Sequence, residues 1–356
     1  MWTLFCLLIF CVSCTASSGD RSLEFQRCLS GCRVAECHPG EFPLALRLTL
    51  WTCSDNCAYL CTHAVTDEAE ERIRLNGSSA ARIQQFYGKW AFWRFLGMQE
   101  PASVIFSLLN LWAHVNGYRL LRHKMPSKHP MRKLYLWWSC INANVWIWSS
   151  VFHIRDKPTS EKLDYFSAGL AILFSLFVAL VRVLHLYRPP IRKHAHGFPP
   201  RAPPYRGLAI IFSVLYICHV SYLSLAPRFD YGYNIVVNVV VGMVHNFLWV
   251  LFSVPFTPFQ RYPSRPNSRG FKPYPHSLYG TQKSGKWRGT PAIIALLTTL
   301  ATSLELFDFP PWRRVIDAHS LWHLATAPIA VLWYRFLVQD SLDDGWAESN
   351  IEFTSN

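Results

Sequence analysis

The sequence predicts an all-α polytopic membrane protein, seven transmembrane helices with a disulfide-rich lumenal N-terminal segment, on three observations. Apolar residues gather into blocks of about 20, the length a helix needs to cross a hydrocarbon core of roughly 30 Å. The cations fall in the loops between those blocks. Six cysteines cluster ahead of the first block. Composition agrees: of 356 residues, 51% are hydrophobic and only 16% charged, against roughly 25% in soluble domains. A net charge of +13 gathered in one stripe would suit nucleic acid. Scattered through loops it speaks against that class and follows the positive-inside bias instead.

The N-terminus reads TLFCLLIFCVSC and then TASSGD, a short apolar core followed by small residues. This is the form of a signal peptide over residues 1–18; with no basic residue ahead of the core, an uncleaved anchor is the alternative. Residues 19–98 follow as a cysteine-rich lumenal domain containing Cys28, Cys32, Cys37, Cys53, Cys57 and Cys61. An even number behind a signal implies three disulfides in an oxidising lumen, with 15 pairings open. Zinc is the rival, but thiolates in such a compartment oxidise first. Both clusters contain C-x-x-x-C, which sets two sulfurs on one helix face and suggests a stapled helical hairpin. Asn76-Gly77-Ser78 is a glycosylation sequon on the same side.

Residues 99–339 form the transmembrane domain, with apolar blocks at 101–121, 134–154, 165–186, 207–226, 233–254, 290–306 and 318–338. The loops 122–133, 187–206 and 255–289 are rich in Lys and Arg, whereas 155–164, 227–232 and 307–317 are mixed. Alternation therefore puts the N-terminus in the lumen and the tail of 340–356 in the cytosol. The long 255–289 stretch reads as a linker whose basic residues can touch anionic lipid.

That topology converges polar residues from separate spans. The last span enters from the lumen through DAHSLWH, with His319 and His323 four residues apart on one face. The second span leaves through WIWSSVFHIRD, with Ser149 and His153 four apart. The third begins near Asp164 in EKLDYFSAG. All five side chains are expected at one depth of one leaflet. His153, His319 and His323 make the three-imidazole set of catalytic zinc (Zn2+), with a fourth position open to water. Asp164 is placed to orient or deprotonate that water, and Ser149 to donate to an oxyanion or a neighbouring side chain. Glu100, Asp156, Asp308 and Asp317 compete with Asp164 for its role. His114, His185, His219 and His245 stand alone and read as packing groups.

These residues resemble a known group. S-x-x-x-H at Ser149 and His153, an aspartate at Asp164 and H-x-x-x-H at His319 and His323 resemble the CREST superfamily of seven-helix membrane hydrolases. More closely, WTCSDNCAYLC, YGKWAFWRFLGMQEPASVIFSLLN, NANVWIWSSVFHIRD, KLDYFSAG, LELFDFPP and DAHSLWH resemble the Per-type family of GPI-specific phospholipases A2. The resemblance implies removal of the sn-2 fatty acid from the lipid of GPI-anchored proteins, in the endoplasmic reticulum membrane or Golgi. Two alternatives remain: a ceramidase-like amidase, and a non-catalytic receptor, metal-handling protein or chaperone.

Overall fold

A computed structural model describes residues 17–37, 42–187, 203–254 and 285–342. The expected signal peptide, most of the 187–206 and 255–289 loops and nearly all of the 340–356 tail lie outside the described residues. Within them the chain is helical: α1 Leu23–Glu36, α2 Leu44–Leu48, α3 Cys53–Asn76, α4 Pro101–Lys124, α5 Arg132–Ile154, α6 Pro158–Val183, α7 Tyr205–Leu225, α8 Tyr231–Ser253, α9 Thr290–Leu306 and α10 Ala318–Ser341.

Each of the seven apolar blocks is a helix, from α4 to α10. Four of them, α6, α7, α8 and α10, are long and apolar enough to cross a membrane. The other three fall short for visible reasons. α9 has 17 residues, and α4 and α5 carry polar groups turned inward, among them Asn110, His114 and Ser139. One boundary also needs correction. α6 begins at Pro158, ahead of the expected start near Asp164. The polar first turns PTSEKLD hide the helix from a hydropathy reading, while proline opens it readily because the first turn has no N–H partner to lose.

The chain divides into two compact units. The first comprises Met1–Ser107, Ser149–Glu161 and Leu304–His323. Its α1 and α3 form the expected hairpin, joined by Cys28–Cys61, Cys32–Cys57 and Cys37–Cys53 with Cα–Cα distances of 5.6–5.7 Å. The four- and five-residue spacing of the cysteines along the two helices aligns first with last, so the bridges form a ladder. Ser22 caps α1, and Thr52 with Asp55 makes a reciprocal capping box on α3. Phe25, Leu29 and Phe86 fill the space beside the sulfurs.

After the hairpin, two four-residue turns repeat. Phe86 and Lys89 exchange both backbone hydrogen bonds, as do Phe95 and Met98. The central residues Tyr87, Gly88, Leu96 and Gly97 all have positive φ, the signature of a type I′ turn. At Gly97 a Cβ would run into Thr49 and the Ala45 carbonyl, so glycine is required there for space as well as for φ. Trp51 Nε1 donates to the Gly97 carbonyl at 2.8 Å, tying this turn to the hairpin.

The second unit comprises Leu108–Trp148, Lys162–Ser303 and Leu324–Asn356. Its helices meet through close contact and a few polar pins. α4 has Gly117 where the Tyr334 ring of α10 lies, with no room for a Cβ. Trp138 Nε1 of α5 donates to Ser175 Oγ of α6 at 2.8 Å. Arg182 and Asp340 form a two-point ion pair at 2.6 and 2.7 Å with both side chains fully buried. On α7, α8 and α9 large apolar side chains such as Ile211, Leu215, Val240, Met243, Leu296 and Leu300 are exposed. That outward surface suits hydrocarbon, and the protein is a membrane protein.

Candidate metal centre

Two helix ends in the first unit build a histidine cluster. His319 and His323 lie in the first two turns of α10, and His153 is the penultimate residue of α5. The Nε2 atom of His319 is 3.3 Å from that of His153 and 3.0 Å from that of His323. His153 and His323 are buried, whereas His319 is half-buried.

The outer nitrogens of two of the rings have partners. His153 Nδ1 is 2.8 Å from Glu100 Oε2. Burial alone would raise the Glu100 pKa, but the Lys89 ammonium and His153 hold it well below the usual carboxylate range. An ionised Glu100 only accepts, so His153 Nδ1–H donates, and in the neutral ring this leaves Nε2 as the nitrogen that offers a lone pair to the cluster. His323 Nδ1 is 2.8 Å from Ser107 Oγ, which is 3.0 Å from Ser149 Oγ. The tautomer of His323 that donates Nδ1–H to Ser107 presents its Nε2 lone pair to the cluster in the same way. Three imidazole Nε2 atoms thus face one another at His319, an arrangement that a cation between them relieves. Ligand arms of 2.0–2.1 Å at tetrahedral angles would put such nitrogens about 3.3–3.4 Å apart. The donor set fits a metal, and His153, His319 and His323 are a candidate metal-binding group.

Lys89 anchors the carboxylate. Its Nζ pairs with Glu100 and lies 3.3 Å from Asp156 and 4.1 Å from the centre of the Phe152 ring. Burial would lower its pKa, but Glu100 and Asp156 raise it, so the ammonium stays charged. The backbone repeats the connection: Gln99 N–H donates to the Ile154 carbonyl and Glu100 N–H to that of His153. The strand of chain leading into α4 is thus strapped along the end of α5.

Sequence reasoning brought together His153, His319, His323, Ser149 and Asp164; hydrogen-bond distances join the first four, Ser149 through Ser107, whereas Asp164 belongs to the second unit. The same reasoning named Glu100 only as a rival to Asp164 and did not foresee its bond to His153. The signal available was a lone acid directly before Pro101, at the start of an apolar block. The other rivals have separate work. Asp317 caps α10, its Oδ1 accepting from Ser320 N at 2.8 Å while Ser320 Oγ accepts from Asp317 N. Asp308 accepts from Gln85 Nε2 and Trp90 Nε1. Asp156 reaches Lys89. Asp164 is half-buried on α6 in the second unit. His114 and His245 bond Tyr334 and Trp249, and His185 and His219 lie beside Tyr187 and Tyr233, consistent with packing roles. Asn76 is exposed as the last residue of α3.

The Per1-like family model matches residues 43–341. The chain belongs to the Per1-like family. This Per1-like chain is 41% identical over 330 residues to the protein PER1 homolog of Schizosaccharomyces pombe, covering 91% of this chain and 87% of the relative. It is 36% identical over 334 residues to the GPI-specific phospholipase A2-like PGAP3 of Xenopus tropicalis, covering 92% and 91%. The protein of the same name from Homo sapiens is 33% identical over 335 residues, covering 92% and 90%. No solved structure matches the chain.

Proposed function

We propose that the chain is a zinc-dependent hydrolase that removes the sn-2 acyl chain from the lipid of GPI-anchored proteins, leaving lyso-GPI. The observation that carries this reading is the convergence of three imidazole nitrogens, with the outer nitrogens of His153 and His323 at hydrogen-bond distance from Glu100 and Ser107. The names of the relatives, GPI-specific phospholipase A2-like, support the substrate class. All seven helices from α4 to α10 cross the endoplasmic reticulum or Golgi membrane in this reading, with the N-terminus and the glycosylated Asn76 in the lumen and the C-terminus in the cytosol. An ester just beneath the lumenal headgroups then lies at the depth of the cluster.

A zinc ion held there supplies Lewis acidity and lowers the pKa of water toward 7. The chain's own residues do the rest. Glu100 fixes the ring of His153, and Ser107, steadied by Ser149, fixes that of His323. Asp164 takes the proton of the attacking water and passes it to the departing glycerol oxygen. One C–O bond is broken and one formed, giving a free fatty acid and an alcohol.

Full-length protein purified in detergent and given a GPI-linked diacyl substrate should release free fatty acid. Release should cease in His319→Ala and on chelation, with zinc lost from both. Asp164→Asn should keep its zinc and lose roughly 10²–10⁴-fold in turnover. Zinc bound without any fatty-acid release from the wild type favours a non-catalytic metal protein, and cleavage of a ceramide amide in its place favours an amidase.

A further inference from the structure

The second unit carries a cleft of about 380 Å³ at the C-terminal end of α4. Its walls divide by chemistry. Val115 and Ala143 are apolar, while Tyr118, Arg119, Arg122 and His123 bring polar and cationic groups to the rim. Arg122 and His123 lie three and four residues after Arg119 along α4, so each neighbours it on the helix surface. Both arginines are exposed, and among the described residues neither forms an ion pair. No carboxylate is available nearby in sequence. From Pro101 to Ile154 the chain has no Asp or Glu, yet it carries Lys124, Lys128, Arg132 and Lys133 besides the two arginines. Arg132 Nη2 donates to the Arg122 carbonyl at 2.9 Å and holds the basic loop against the helix end.

Unpaired guanidiniums beside an apolar wall suit a ligand that is anionic at one end and hydrocarbon at the other. We propose that this cleft binds an anionic glycerophospholipid. Its phosphate sits between Arg119 and Arg122, whose planar forks match phosphate oxygens. The glycerol and first methylenes lie along Val115 and Ala143. In the orientation proposed above, the cleft opens to the cytosolic leaflet, where anionic lipids concentrate. The site shares no residue with the histidine cluster, and it stands whether or not the hydrolase reading does.

Native mass spectrometry of the full-length protein tests it, with phosphatidic acid, phosphatidylinositol and phosphatidylcholine supplied in equal amounts. The two anionic lipids should be retained about tenfold or more over phosphatidylcholine. Arg119→Gln with Arg122→Gln should reduce their retention to the phosphatidylcholine level. Excess glycerol phosphate should fail to displace them, because it lacks the chain. Equal retention of all three lipids by the wild type overturns the proposal, as does a double variant that keeps the preference. Displacement by glycerol phosphate overturns it in favour of a plain phosphate site. If the double variant does not accumulate, Ala143→Trp fills the apolar wall and leaves both arginines. Loss of anionic lipid in that variant supports the site, and undiminished retention overturns it.

Discussion

In the first unit, cohesion is covalent and ionic: three disulfides join α1 to α3, Asp55 bridges Arg155 and Lys157, and Arg314 gathers Asp67, Glu70 and His63. In the second, it is mostly apolar and aromatic, as where Trp249 meets Trp333 at 5.1 Å, with Arg182 and Asp340 the main buried ion pair described. The difference follows from the solvent each meets. A small aqueous module has little interior to bury, so cross-links replace core area. In hydrocarbon, apolar contact between helices has no solvent advantage, and close approach at small residues such as Gly117 matters instead. The candidate metal centre belongs to the cross-linked, polar unit, where hydrogen bonds orient the rings.

That contrast can be broken in either unit, and the readouts should separate. The largest effect is expected at the buried ion pair. Asp340→Asn leaves the Arg182 guanidinium uncompensated and should cost about 3–5 kcal/mol, seen as a lower unfolding temperature in detergent. Zinc content of the protein that stays folded should be unchanged; a parallel fall in zinc would dissolve the distinction between the units. Next comes the hairpin. Cys53→Ser opens the Cys37–Cys53 bridge and should cost about 2–5 kcal/mol. In cells it should appear as retention and degradation, and normal accumulation would count against a cross-linked module.

Glu100→Gln should be milder and more specific. The amide neither holds the His153 tautomer nor balances Lys89, so zinc affinity should fall about 10–100-fold with the fold intact. Unchanged affinity would remove Glu100 from the site. The smallest effect is a pH dependence. Its capping bonds to Thr52 and the Arg155 charge outweigh burial and lower the pKa of Asp55 to about 2. A depressed carboxylate contributes stability above its unfolded value of about 3.9 and loses it as pH falls toward 2. Its contribution should therefore be level from pH 5 to 8. Asp55→Asn should flatten the acid limb below about pH 4, and an unaltered limb would assign that loss to other groups.

The helices were legible because hydropathy and length are local: the 290–306 block coincides with α9 and 318–338 falls within α10. So was the pairing of His319 with His323, since four residues make one helical turn. The extent of α6 was not, because its charged first turns carry no apolar signal. Nor was the role of Asp317, which resembles a catalytic acid in sequence but turns back to cap its own helix.

By itself the sequence determined the helical class and the cysteine hairpin, and it set out five candidate side chains of which Ser149 and the three histidines are joined by hydrogen-bond distances, since periodicity and charge alternation are written along the chain. Only the tertiary structure decided which cysteines pair and which carboxylate meets His153. Those choices depend on where a turn such as Phe86–Lys89 delivers Lys89, and on the strap from Glu100 to the His153 backbone. Contacts between residues tens of positions apart are set by packing, and no local pattern encodes them.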